Sequence, residues 1–294
     1  MSETKKETEQ KIENVDRKLN LLLGTFAIFV CILIFTTLQN GQVSCRFFIP
    51  NIYMYVILAI LLVGIFTLLR EKYFTVPSEQ YKLYDYRDLK SMNNFASGLF
   101  IGLMGLIVLF IYGWYNMTTY KNHILNHVVW LFIIFSISAL FYPLFKLKTT
   151  YNYIDNAAIY VFMVFVVMSG IVYANYKSVL AMNNNTFAWV GMGLLGGLLA
   201  IIFGSLLLII FSMFGLIPVQ NFLAIHKIIL YVAIVLFSLY ISYDSIYIIK
   251  RTKTCNESNV NKYPNYPMES FQIFIDLYNI FADLLQLQLL SNIS

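Results

Sequence analysis

Hydrophobic positions gather along this chain into long runs, and polar positions fill the gaps between them. The runs lie near 20–38, 52–70, 94–115, 127–146, 154–175, 187–214, 224–249 and 269–290. Each reaches the roughly twenty residues that an α-helix needs to cross a hydrocarbon core. Lipid offers the backbone no hydrogen-bond partner, so such runs predict helices, and they are too long and continuous for barrel strands. The pattern therefore predicts eight membrane spans, a polar N-terminal tail over 1–19, and two longer polar loops at 70–93 and 250–268. No soluble domain is expected.

Composition agrees with the pattern. The chain is 59% hydrophobic and 12% charged, against about 45–50% and about 25% in soluble domains. This is the composition of an all-α polytopic membrane protein, with the lipid bilayer as its first partner. The net charge of +5 is spread over several loops, which argues against a nucleic-acid surface. Cys31, Cys45 and Cys255 are far apart, odd in number and without a C-x-x-C, so no disulfide or zinc framework is expected. The tail "MSETKKETEQKIENVDRKLN" is too polar for a secretory signal and too acidic for a transit peptide; it reads as amphipathic or disordered. There is no nucleophile elbow, phosphate loop or cofactor motif, so neither enzyme activity nor a cofactor is expected.

With eight spans, the tail and the 70–93 loop share one membrane side and carry five Lys or Arg each. The positive-inside rule then places that side in the cytosol or matrix. The sequons at Asn116, Asn184 and Asn256 fall on the opposite side.

Two helices carry stripes of small residues: Gly98, Gly102 and Gly105 on one, and Gly193, Gly197, Ala200 and Gly204 on another. Such faces let backbones approach in lipid, as plain packing or as a hinge. His123 and His127 are spaced for a metal, yet no third ligand is evident, and they read as interfacial histidines. Asp155 reads as an N-cap.

The last run holds two acids. At 100° per residue, Gln272, Asp276, Asn279, Asp283 and Gln286 fall within roughly an 80° arc of one helix. An acid at mid-membrane costs about 2.5–3.5 kcal/mol on insertion scales, so this stripe must face a bundle interior or a wet cavity. The preceding run ends "VLFSLYISYDSIYIIKRTK". Asp244 lies roughly 9 Å of helix before Lys250, and Asp276 roughly 13 Å after Pro267. On antiparallel helices the two acids reach similar depth and can meet. Two carboxylates in one low-dielectric site cannot both ionise cheaply, and they titrate as a unit. With one proton the pair braces two helices; without it, repulsion and bare oxygens make a transient site for a hard cation such as Ca2+. The alternative leaves Asp244 snorkelling at a helix end and Asp283 reaching the other interface.

These residues resemble the transmembrane Bax-inhibitor-motif family. The likeness rests on Tyr243-Asp244-Ser245 in the penultimate helix and on "FIDLYNIFADLLQL", with Asp276, Asn279 and Phe281. The run "YVAIVLFSLYISYDSIYIIKR" is similar to the growth-hormone-inducible, mitochondrial branch, which tends to carry an additional N-terminal span. The resemblance implies a seven-helix Bax-inhibitor-like core over 52–290 with the last helix at its centre, plus one additional transmembrane helix at 20–38. It implies a pH-sensing aspartate pair, Asp244 and Asp276, and a pathway lined by Gln272, Asn279, Asp283 and Gln286. It implies a Ca2+ leak or Ca2+/H+ exchange with Ca2+ and H+ as the ions, suppression of cell death, and an intracellular membrane (mitochondrial inner membrane, endoplasmic reticulum or Golgi). Gln286 departs from some bacterial relatives, which are basic ten positions after the second Asp, and Asp283 stands where the family usually has other residues. The family topology puts the 250–268 loop in the cytosol or matrix, against the charge count, and orientation stays open. A non-transporting regulator or scaffold of a larger membrane complex is the competing function; a small-solute transporter has less support, since no paired broken helices are evident.

Overall fold

The computed structural model describes residues 2–39, 42–43, 45–74, 107, 123–146, 154–257 and 264–291. Apart from Ile107, the expected span at 94–115 lies outside them, and with it Gly98, Gly102 and Gly105. Among the described residues six helices are long and apolar enough to cross a membrane. The protein is an all-α polytopic membrane protein.

The chain divides into two compact units, Met1–Tyr151 with Cys255–Phe271, and Asn152–Thr254 with Gln272–Ser294. In the first, α1 (Ser2–Thr37) is followed by a two-residue antiparallel ladder, β1 (Leu38–Gln39) with β2 (Gln42–Val43), and then by α2 (Phe48–Leu69). The 1–19 tail is not a separate element, because α1 runs unbroken from Ser2. Its Glu, Lys and Gln residues are good helix formers that extend the apolar span behind them. α2 closes in a π-turn (Arg70–Phe74) and α3 covers His123–Lys146. Ile52, Val56, Ala59, Ile134 and Ile137 are buried here.

Several polar groups inside this unit are paired, as a membrane interior favours. Thr36 donates to Asn51 Oδ1 at 2.6 Å, and Asn51 Nδ2 reaches the Thr36 carbonyl at 3.4 Å. The Tyr55 hydroxyl pairs with His127 Nε2 at 2.5 Å. Arg70 donates to the Ala139 carbonyl at 3.2 Å and lies over the Tyr142 ring.

A disulfide joins Cys45 to Cys255, with Cα atoms 6.0 Å apart, a usual span. This corrects the expectation of no disulfide. The two cysteines are 210 residues apart in sequence, so the pairing is made by the fold and leaves no local spacing to read. Cys31 is the free, exposed cysteine.

The second unit comprises α4 (Ile154–Ala174), the short α5 (Tyr176–Ala181), α6 (Asn184–Met213), α7 (Val219–Glu257) through Thr254, and α8 (Tyr266–Ser291) from Gln272. Asp155 lies inside the first turn of α4 rather than at its N-cap, because the helix already includes Ile154; an acid there still opposes the positive helix end. Asn183 caps α6, its side chain accepting from the Asn185 N–H at 3.0 Å. α6 ends where Gly215 takes φ 69°. Leu216 N–H then bonds the Phe211 carbonyl at 2.9 Å and Gly215 N–H the Ser212 carbonyl at 3.0 Å. This is the Schellman arrangement, and Pro218 follows it.

Candidate functional site

α7 and α8 bring the candidate acids together. α7 tolerates polar residues in its apolar length by bonding them to itself. Ser238 donates to the Ile234 carbonyl at 2.7 Å, and Ser245 to the Ile241 carbonyl at 2.8 Å. The start of α8 is capped by Asn265, whose carbonyl accepts from Glu269 N–H at 3.0 Å and whose side chain receives Met268 N–H at 3.4 Å. Pro267 sits in that first turn, where a missing N–H is harmless. Within α8 only Gln272 and Ser291 are exposed.

Asp244 and Asp276 are 8% and 7% exposed. Their carboxyl groups share a side-chain hydrogen bond. Two carboxyls can bond in this way only when one of them carries a proton. The Oδ2 atom of Asp276 is buried without a hydrogen-bond partner, and so is Oδ2 of Asp283. Asp283 lies two turns further along α8, about 10 Å away along the axis. Burying an unpaired carboxyl oxygen costs free energy unless something else satisfies it. Asn279 and Gln286 are half-buried on the same stripe, whereas Gln272 is exposed at its beginning. Tyr240, one turn before Asp244, interacts electrostatically with both acids.

Tyr243 and Lys250 fix the placement of α7. Tyr243 stacks on Phe187 of α6, and Tyr247 lies 6.5 Å from the same ring. Lys250 donates to the Met182 carbonyl at 2.7 Å and to Asn184 Oδ1 at 3.0 Å, and its ammonium sits 5.3 Å from the Phe187 ring. Ser245, fully buried, is 3.5 Å from Ser169 of α4.

The small-residue stripe of α6 is only partly a packing face. A Cβ at Gly197 meets Leu236 of α7 at 3.0 Å, but one at Gly193 or Gly204 meets nothing within 4 Å. At those two positions α6 meets no described side chain, and the helix runs through them unbroken. The tight position is Gly191, where a Cβ collides with the Tyr243 ring. Sequence reasoning missed Phe187, Gly191 and Lys250. Their signal was an F-x-x-x-G spacing on one helix and the first Lys of a basic run at the end of the next. His127 pairs with Tyr55, and among the described residues no group of three His, Cys, Asp or Glu is placed to hold a metal.

A family model described as "Inhibitor of apoptosis-promoting Bax1" matches residues 45–292, most of the chain. No curated protein matches, and no solved structure does.

Proposed function

This chain belongs to the Bax inhibitor family, and on that premise we propose that it passes cations across an intracellular membrane under control of the Asp244–Asp276 pair. The observation that carries this reading is a buried pair of hydrogen-bonded carboxyls on two membrane helices. With one proton the pair ties α7 to α8. When the proton leaves, two like charges stand in a low-dielectric site and repel, which loosens the tie. The freed oxygens suit a hard cation, and Ca2+ takes oxygen ligands. Ca2+ is the cargo here, held in passing by Asp244 and Asp276. Asn279, Asp283 and Gln286 line its path, with Gln272 at the mouth.

In this reading the protein is a pH-sensitive Ca2+ leak or a Ca2+/H+ exchanger. A role in suppressing cell death is supported by the family's own description. A mitochondrial inner membrane is supported by the likeness of the α7 sequence to the mitochondrial branch. The test is Ca2+ entry into liposomes holding the purified protein, followed against pH, with Asp244→Asn and Asp276→Asn beside wild type. Flux that rises with pH in wild type and loses that dependence in either variant supports the proposal. Well-folded wild type that passes no Ca2+ at any pH or potential leaves the pair as a brace, in a non-transporting regulator of other membrane proteins.

A further inference from the structure

We infer that the Cys45–Cys255 disulfide is a redox-controlled fastening of the α7–α8 connection to the α1–α2 hairpin. Cys45 lies in the short segment that opens α2, and Cys255 lies in the last turn of α7. At the other end of the same connection, Tyr266 is fully buried against that hairpin. Its ring is 5.7 Å from Phe48 and stacks 6.2 Å from Tyr55, and its hydroxyl bonds to Asn51. The connection is thus held at one end by a covalent bond and at the other by an aromatic anchor. An even number of the spans read from the sequence separates the two cysteines, so both come to the same membrane face.

The bond is reachable. Cys45 and Cys255 are half-buried, and Arg46, Phe47 and Lys253 beside them are exposed. Arg46, Arg251 and Lys253 flank the two cysteines in sequence and attract an anionic thiol. Glutathione fits that description. Its thiolate attacks one sulfur, releases the other as a protein thiol and leaves a mixed disulfide. A second glutathione completes the exchange: the protein disulfide and two glutathione thiols become two protein thiols and one glutathione disulfide. Glutathione disulfide drives the reverse. An oxidising compartment therefore keeps the fastening closed. Because α7 and α8 are the helices that carry Asp244 and Asp276, opening it alters cation flux, a consequence that rests on the proposed function.

The test uses the full-length protein, its thiols blocked at lysis. Digestion without reductant is expected to give the Cys45 and Cys255 peptides joined and Cys31 alone alkylated. Amide hydrogen exchange over 264–271 is expected to rise about tenfold when glutathione opens the bond, in wild type and in Cys31→Ser alike. Flux in proteoliposomes should change about threefold on reduction, as a shifted gate population implies, and Cys255→Ser should no longer respond. Absence of the joined peptide, or equal exchange in both redox states, overturns the inference. Exchange that responds while no flux appears in either state keeps the fastening and removes the transport reading instead.

Discussion

Tyr243 of α7 lies flat on Phe187 of α6, ring centroids 4.3 Å apart and planes within 1° of parallel. The stack is possible because Gly191, one turn along α6, has no side chain to meet the Tyr243 ring. Gly191→Val should therefore force the ring away and destabilise the protein by about 1–3 kcal/mol, the usual cost of overpacking. Gly193→Ala, at an open position, should be neutral or stabilise by about 0.5–1 kcal/mol through helix propensity. Thermal unfolding of the detergent-solubilised variants compares them directly. Equal melting temperatures for the two would show that Tyr243 is not confined by α6.

Tyr266 offers a separable test of the first unit. Its ring packs on Phe48 and Tyr55 while its hydroxyl serves Asn51. Tyr266→Phe keeps the ring and removes the bond, an expected loss of about 0.5–1.5 kcal/mol. Tyr266→Ala removes both and should cost about 3–5 kcal/mol. The melting temperatures should fall in that order. A Phe variant as unstable as the Ala variant would assign the anchoring to the hydroxyl rather than to the stacked ring.

The depth of the acids was legible in the sequence. Counting along α7 from Lys250 and along α8 from Pro267 put Asp244 and Asp276 level, since helical rise is fixed and both ends are marked by polar residues. What stayed hidden was made by distant pairing. Cys45 and Cys255 have no spacing rule to betray them, and the Tyr55–His127 bond joins residues 72 apart. The glycine stripe names a face of α6 without naming its neighbour. Among the described residues Gly193 and Gly204 meet nothing within 4 Å, while Gly191, outside the pattern, lies against the Tyr243 ring.

Lys250 sets the register of α7 against the α5–α6 junction. Its ammonium bonds the Met182 carbonyl and Asn184 Oδ1, and it lies beside the Phe187 ring that carries Tyr243. Lys250→Met keeps the aliphatic stem but leaves the Met182 carbonyl without this donor. A loss of about 1.5–3 kcal/mol is expected for hydrogen bonds made by a charged group. Tyr243 should also lose order, seen as faster hydrogen exchange in the middle of α7. Unchanged stability would mean that water or lipid headgroups replace the ammonium at no cost.

Asp283 separates a pathway from a gate. It shares a face of α8 with Asp276, and each has a buried oxygen without a hydrogen-bond partner. Of these two acids, Asp276 is the one that bonds to Asp244. If the pair is the gate and the stripe is the path, Asp283→Asn removes a charge that passing Ca2+ meets while leaving the shared proton in place. Flux should fall about fivefold to thirtyfold, as roughly 1–2 kcal/mol added to the barrier implies, and should still rise with pH as in wild type. Asp276→Asn should do the reverse. It ends the competition of two carboxylates for one proton, so flux becomes insensitive to pH whatever its size. Liposome flux across a pH series for the two variants and their double mutant decides the matter. A pH profile shifted equally by both substitutions would merge the three acids into one titrating cluster, and Asp244 and Asp276 would lose their separate standing as the gate.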